Sequence, residues 1–456
     1  VTLPNGLKTL TFGENFNQCL DDLVLPAKLQ SLTFGRNFNQ SLAGVQLPAS
    51  LRVLVFGDLF TQPLRGMSLP ANLEILTFSK SFKLDLAKVD FPEGLQSLTA
   101  GSGRPGSRGE FPPGLQSLTL GGFGQGLSAE LPRNLVSLTL GGFNGSLADI
   151  VLPKNLKSLA CGNCFNQSLM CVAWPSRLET LTLGEEFNQN LDGVRFPGSL
   201  KALSFGRNFN QSLAAADLPQ GLESLSFGTM FNQSLDKVVF PSGLQSLVFG
   251  STFNQNLAST KLPDGLGFLT FSWDFNQTLV GVLPKRLQEL TLGDRFNQSL
   301  VGVAFPSSLR SLTFGRTFNQ CLLTAELPEG LQTLTLGKSF NQDLRKVKLP
   351  ESLRALTFGG DFNQPMAGME LPSSLEELTF GWDFNQPLQE VVLPSGLRTL
   401  TFGMDFDQSL AGVEWPLTLE TLVFCTWFKH RPCAADLPNT LQTFQCRNVL
   451  VSRTAD

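Results

Sequence analysis

Apolar residues recur along this chain on a beat of mostly 22 positions, and a proline marks each beat from Pro4, Pro26 and Pro48 through to Pro416 and Pro438, giving 21 copies. Counting from each such proline as position zero, position 3 is Leu in every copy, and position 6 is Leu in all but the last, which has Phe444. Position 8 is always apolar, usually Phe or Leu, as in Leu29, Leu32 and Phe34 of the second copy. The string L-x-x-L-x-F/L predicts a short strand whose alternate side chains point into a core. Gly follows at position 9 in 17 copies, where the strand has to end and the backbone has to turn.

The second half of each copy reads F-N-Q-x-L-x-x-V-x-L/F-P, as in Phe209, Asn210, Gln211, Leu213 and Leu218. Phe at 12, Leu at 16 and Val at 19 suit one face of a helical turn and equally a short second strand, so both remain open. A long helix is excluded, because fewer than about a dozen residues separate the Gly from the next Pro. Asn at position 13 lies between apolar neighbours, where an unpaired amide is costly. It is predicted to point inward and to bond its counterparts or the adjacent backbone as a ladder. Asp407 keeps the shape of that residue with a charge, whereas Thr61 and Lys83 depart from it.

A lone copy cannot fold. Its roughly seven inward positions are worth about 1.5 to 3 kcal/mol each, against about 1 to 2 kcal/mol for ordering each residue's backbone. Stacking supplies what one copy lacks. The fold class expected is therefore mainly β: a leucine-rich-repeat-like parallel β-solenoid of about 21 coils forming a single repeat domain over residues 1–456. At a strand spacing of about 4.8 Å it would be an elongated rod or shallow arc on the order of 100 Å long. The pattern breaks over residues 100–146, where "GSGRPGSRGE" brings in Arg104 and Arg108 and the ladder should be interrupted. It degenerates again from about 424 to 456, as a C-terminal cap would, and Cys425, Cys433 and Cys446 supply thiols for a disulfide there.

Composition narrows the chemistry. His430 is the single histidine, which leaves no imidazole triad or multi-histidine metal site within the chain. The formal net charge of −4, from 34 Lys and Arg against 38 Asp and Glu, argues against nucleic acid as a partner. No run of about 18 apolar residues is present to cross a membrane as a helix. Val1 falls inside a repeat, as the start of a processed or incomplete product would. Cys161, Cys164 and Cys171 include a C-x-x-C, but Cys161 occupies a core position and no second pair completes a zinc set, so structural thiols are expected.

Residues 371–388, "LPSSLEELTFGWDFNQPL", resemble the FNIP repeat, a 22-residue leucine-rich-repeat relative whose units carry Phe-Asn-x-Pro and Ile-Pro. Phe384, Asn385, Gln386, Pro387 and Leu388 match that core. Elsewhere Leu usually replaces the Ile before the repeat proline, and Ser the Pro after Gln. The resemblance covers nearly the whole chain, implies a solenoid, and brings no catalytic residue with it.

Positions 5 and 7 face outward from the predicted strands, and Ser or Thr holds position 5 in 14 copies and Thr holds position 7 in 14. Thr9, Thr11, Ser31, Thr33, Thr180, Thr182, Ser311 and Thr313 represent this candidate binding face. β-Propensity alone also favours Thr on an exposed strand. A second candidate is the edge at positions 10 and 11, with Trp273 and Trp382 as aromatic anchors and Asp361, Asp383 and Asp405 as an acidic column. Three functions fit. One is a non-catalytic scaffold whose partner is a protein, with recognition carried by varied positions such as Lys8, Gln30, Arg52, Glu74 and Val136. Another is ice or crystalline-surface binding through the Ser/Thr-x-Thr array, whose regularity Val53, Ile75, Phe268, Glu289 and Glu377 interrupt. The third is an extracellular structural protein, for which sequons occur at Asn39, Asn144, Asn166, Asn210, Asn232, Asn276 and Asn297, mostly at the ladder position. No nucleophile is paired with a base, and neither an enzyme nor a cofactor is expected.

Overall fold

A computed structural model describes all residues except 1–2, 22, 65, 80–81, 83–88, 103–109, 123–129, 425–436, 447–448 and 453–456. The chain folds as parallel β-solenoid of about 18 turns, slightly fewer than the 21 prolines suggest. Its contacts cluster into two compact units, residues 1–211 with 215–222, and residues 212–214 with 223–456. Arg104, Arg108, Cys425 and Cys433 lie outside the described residues, and with them much of the broken stretch and the expected C-terminal disulfide.

In the first unit, strands β1 (Thr9–Thr11) to β10 (Ala202–Ser204) pair in sequence order, each parallel to the next. Register follows the repeat, so Leu10 faces Leu32 and Leu32 faces Leu54. Leu29, Leu32, Leu51 and Leu54 are wholly buried. At the break in the pattern, β5 (Ser97–Ser102) and β6 (Ser117–Gly122) lengthen to six residues. A 3-10 turn follows at Leu147–Asp149, where the Ser146 hydroxyl accepts from Ala148 N–H.

In the second unit, β11 (Ser224–Ser226) to β21 (Thr443–Cys446) repeat the same parallel pairing. β21 then pairs antiparallel with β22 (Val449–Ser452), so the last copy ends in a hairpin instead of another turn.

Apart from the 3-10 turn at Leu147–Asp149, the second halves of the turns form neither helix nor named strand among the described residues. They are chains of β-turns closed by i to i+3 hydrogen bonds: Leu309 N–H donates to Pro306 O, Phe318 N–H to Gly315 O, and Val303 N–H to Leu300 O. Gly302 is the third residue of the last of these and has φ +76°, a conformation that glycine adopts without Cβ strain. Just before it, the Ser299 hydroxyl accepts from Val301 N–H. Position 9 is glycine for a different reason. A Cβ on Gly315 would lie 2.0 Å from the carbonyl oxygen of Gly293 one turn earlier, so two backbones meet where a side chain would stand.

Phenylalanines fill the space between strand and turns. Position 8 and position 12 rings of one turn stack at 4.0 Å between Phe34 and Phe38 in the first unit, and at 3.8 Å between Phe380 and Phe384 in the second. Spacing between turns widens away from the strands. Phe34 and Phe56 are 5.5 Å apart while Phe38 and Phe60 are 6.2 Å apart; Phe380 and Phe402 are 5.5 Å apart while Phe384 and Phe406 are 6.0 Å apart. Strands pack at about 4.8 Å. Within each unit, therefore, successive turns fan outward and the strand face lies on the inner side of the bend.

One core position carries a defect. Thr260 occupies position 19, where most copies have Val, and its buried hydroxyl has no hydrogen-bond partner among the described residues. Thr260→Val keeps the shape and removes the orphaned group, so it is expected to raise the unfolding free energy by about 1 kcal/mol, read as a later denaturant midpoint.

Candidate functional site

The inner strand face presents positions 5 and 7 to solvent on either side of a buried leucine. Thr9 and Thr11 are exposed on β1, and Ser31 and Thr33 are half-buried on β2 (Ser31–Thr33), in register with them. Thr180 and Thr182 flank Leu181 on β9 (Thr180–Thr182), with Thr182 exposed. In the second unit Ser311 and Thr313 lie half-buried on β15 (Ser311–Thr313), paired with Thr333 and Thr335. From β13 (Phe268–Thr270) to β19 (Thr399–Thr401), position 7 is an unbroken row of seven threonines in register, Thr270, Thr291, Thr313, Thr335, Thr357, Thr379 and Thr401.

Beside this row, the position 4 charges largely answer one another. Arg354 pairs with Glu376 at 3.0 Å, Arg398 with Glu420 at 2.9 Å and Lys157 with Glu179 at 3.1 Å, and Arg52 pairs with Glu74. Each is a basic residue followed by an acid one turn later, so part of the variation that reads as partner recognition serves neighbouring turns. Arg310 instead donates to Ser307 O and Gly330 O.

The edge at positions 10 and 11 gathers differently from expectation. Trp273 and Trp382 are exposed, at 50% and 57%. Asp361, Asp383 and Asp405 do occupy equivalent places, each N–H donating at 2.8 Å to a carbonyl one turn earlier. What the sequence did not reveal is Lys338, whose Nζ stands 5.6 Å from the centre of the Trp382 ring. Gly360 stands between them, and its missing Cβ leaves the channel in which the Lys338 stem lies. Trp273 lies elsewhere in the second unit, next to Asp274, which pairs with Arg295 at 3.0 Å.

The asparagine ladder forms, with a different rung. Asn188 Oδ1 accepts from Asn210 N–H at 2.9 Å and from Gln211 Nε2 at 3.1 Å. Asn341 Oδ1 likewise accepts from Asn363 N–H and Gln364 Nε2, both at 3.0 Å. The asparagines are half-buried, not fully inward, and the position 14 glutamine supplies the second donor. Thr61 N–H still donates to Asn39 Oδ1, so a ladder can end without an Asn. Sequon residues Asn39, Asn166, Asn276 and Asn297 all have Oδ1 engaged in this way.

Cys161, Cys164 and Cys171 are free thiols. Burial pushes the Cys161 thiol up to about 12. Native protein treated with a thiol-alkylating reagent near pH ~8 should label exposed Cys164 and leave Cys161 untouched until unfolding; equal labelling of both would show that Cys161 is not in the core. Among the described residues no group of three or more His, Cys, Asp or Glu is placed to hold a metal ion, and no helix is long and apolar enough to cross a membrane.

Parallel strands in leucine register, a glycine column and short turns define a leucine-rich-repeat-like solenoid. The FNIP Repeat model matches residues 1–81 and 187–426, and the chain belongs to that family. It is similar to the crystal structure of CroV588, described as a novel circular LRR protein, with 39% identity and a TM-score of 0.81, over 96% of this chain and 69% of that one. It also resembles YopM from Yersinia enterocolitica in fold, with 21% identity and a TM-score of 0.50, over 96% of this chain and 91% of that one. Comparison with curated protein sequences finds no match.

Proposed function

We propose that the chain is a non-catalytic scaffold that binds a protein partner along its inner strand face. The observation that carries this is the face itself, where positions 5 and 7 are half-exposed in turn after turn while the leucines between them are buried. Repeat solenoids of this kind hold the backbone fixed and vary such positions independently. The test compares the chain with Thr313→Arg on the strand face and with Val301→Arg on the turns, where Val301 is 61% exposed. A stoichiometric partner recovered from the native source should be lost on the first change and kept on the second; the reverse pattern would move binding off the strands.

The row of seven threonines supports one alternative, recognition of ice or another crystalline surface. Glu289 and Glu377 interrupt the adjoining column, and the bend within each unit departs from a flat lattice. Thermal hysteresis measured on concentrated protein separates the two readings, and its absence removes the alternative.

A further inference from the structure

One turn of the second unit departs from the repeat at five points. The turn opening at Pro263 has Gly267 at position 4, Phe268 at position 5, Ser272 at position 9, Trp273 at position 10, and only 21 residues before the next repeat proline, Pro284. Phe268 opens β13 (Phe268–Thr270) and is 41% exposed on the inner face, where the other strands carry Ser, Thr, Ala, Val, Ile or Glu. Gly267 leaves the ground beside the ring bare, since a Cβ there would meet nothing nearer than 3.7 Å. Across the ladder Phe268 is in register with Glu289, whose carboxylate is exposed and forms no ion pair among the described residues.

The charges around this pair decide what it can receive. In the second unit the position 4 cations are already engaged: Arg354 and Arg398 by Glu376 and Glu420, and Arg310 by backbone carbonyls. Glu289 is left with its charge unanswered, about one strand spacing, ~4.8 Å, from an aromatic ring. A planar guanidinium can lie on such a ring and turn its N–H edge to a carboxylate beside it, which a lysine ammonium cannot do in the same geometry.

We propose that Phe268 and Glu289 form an arginine-receiving site on the strand face, and that the partner is a protein segment carrying an exposed arginine. This rests on the strand-face reading above and names what that face selects. The probe is a displayed random-peptide library selected against the full chain. Selected peptides should share an arginine, and changing it to lysine or glutamine should weaken binding about tenfold or more. Phe268→Ala and Glu289→Gln in the full chain should each do the same, with circular dichroism unchanged from the parent. Peptides with no arginine preference, peptides indifferent to both substitutions, or no selectable peptide would overturn the site. If peptides are lost on Thr313→Arg but insensitive to Phe268→Ala and Glu289→Gln, the strand-face reading stands and this inference falls; if all three changes leave binding intact, both fall.

Discussion

Phe253→Ala is expected to lower the unfolding free energy of the second unit by about 3 to 5 kcal/mol. The ring is buried at the centre of a stack, 4.0 Å from Phe249 in its own turn and 6.2 Å from Phe275 in the next. Removing it empties space that three turns share, and the ladder bonds on either side hold the turns too firmly for them to close on the gap. Phe253→Leu should cost markedly less. Chemical denaturation followed by tryptophan emission reads this directly, since Trp273 sits in the adjoining turn. An alanine variant as stable as its parent would show that the rings do not form a load-sharing column.

Asn254→Leu is expected to cost about 2 to 4 kcal/mol, as two donors lose their acceptor together. Asn254 Oδ1 accepts from Asn276 N–H at 2.9 Å and from Gln277 Nε2 at 3.1 Å. Leucine matches the volume and withdraws the oxygen, so the loss isolates the hydrogen bonds from the packing. Asn254→Asp should be far milder, because the rung uses only the oxygen and Asp407 already occupies this position in another turn. Its own N–H donates to Asn385 Oδ1 at 3.0 Å. Equal loss from the leucine and aspartate variants would mean that the amide nitrogen matters and the rung is drawn wrongly.

Much of the fold was legible because its determinants recur at one spacing. Leu at 3 and 6 and the apolar residue at 8 declare a strand, and the repeat fixes which strand lies beside it. The asparagine was readable as a buried-polar problem, since Phe at 12 and Leu at 16 flank it. Its partner was not: Gln at 14 looks like solvated surface, and only its reach back across a turn makes it the second donor to Oδ1. The structure of the second half was undecidable from apolar spacing, because positions 12, 16 and 19 suit a helix and a strand equally. The deciding information was local turn chemistry, Ser at 15 and Gly at 18, which closes each corner by an i to i+3 bond before either regular element can extend.

The candidate site was less legible for a related reason. Threonine at position 7 satisfies strand propensity whatever the strand touches, so its recurrence alone names no ligand. Lys338 reaching Trp382 across Gly360 depends on the absence of a side chain one turn between them. Basic residues at position 4 answered by acids 22 residues later were present in the sequence as a spacing, and they account for variation that otherwise resembles recognition. What distinguishes this chain is written in departures from the repeat, above all the turn at Pro263.

Hydrogen exchange at the position 13 amides tests most directly whether neighbouring turns are tied through their asparagines. The backbone N–H groups of Asn276, Asn341, Asn363 and Asn385 each donate to an asparagine one turn earlier, although none lies in a strand. They should exchange as slowly as the strand amides of Leu312 and Leu334. Exchange at the rate of exposed turn amides, with the strands still protected, would contradict the ladder and leave the strands alone to hold the stack.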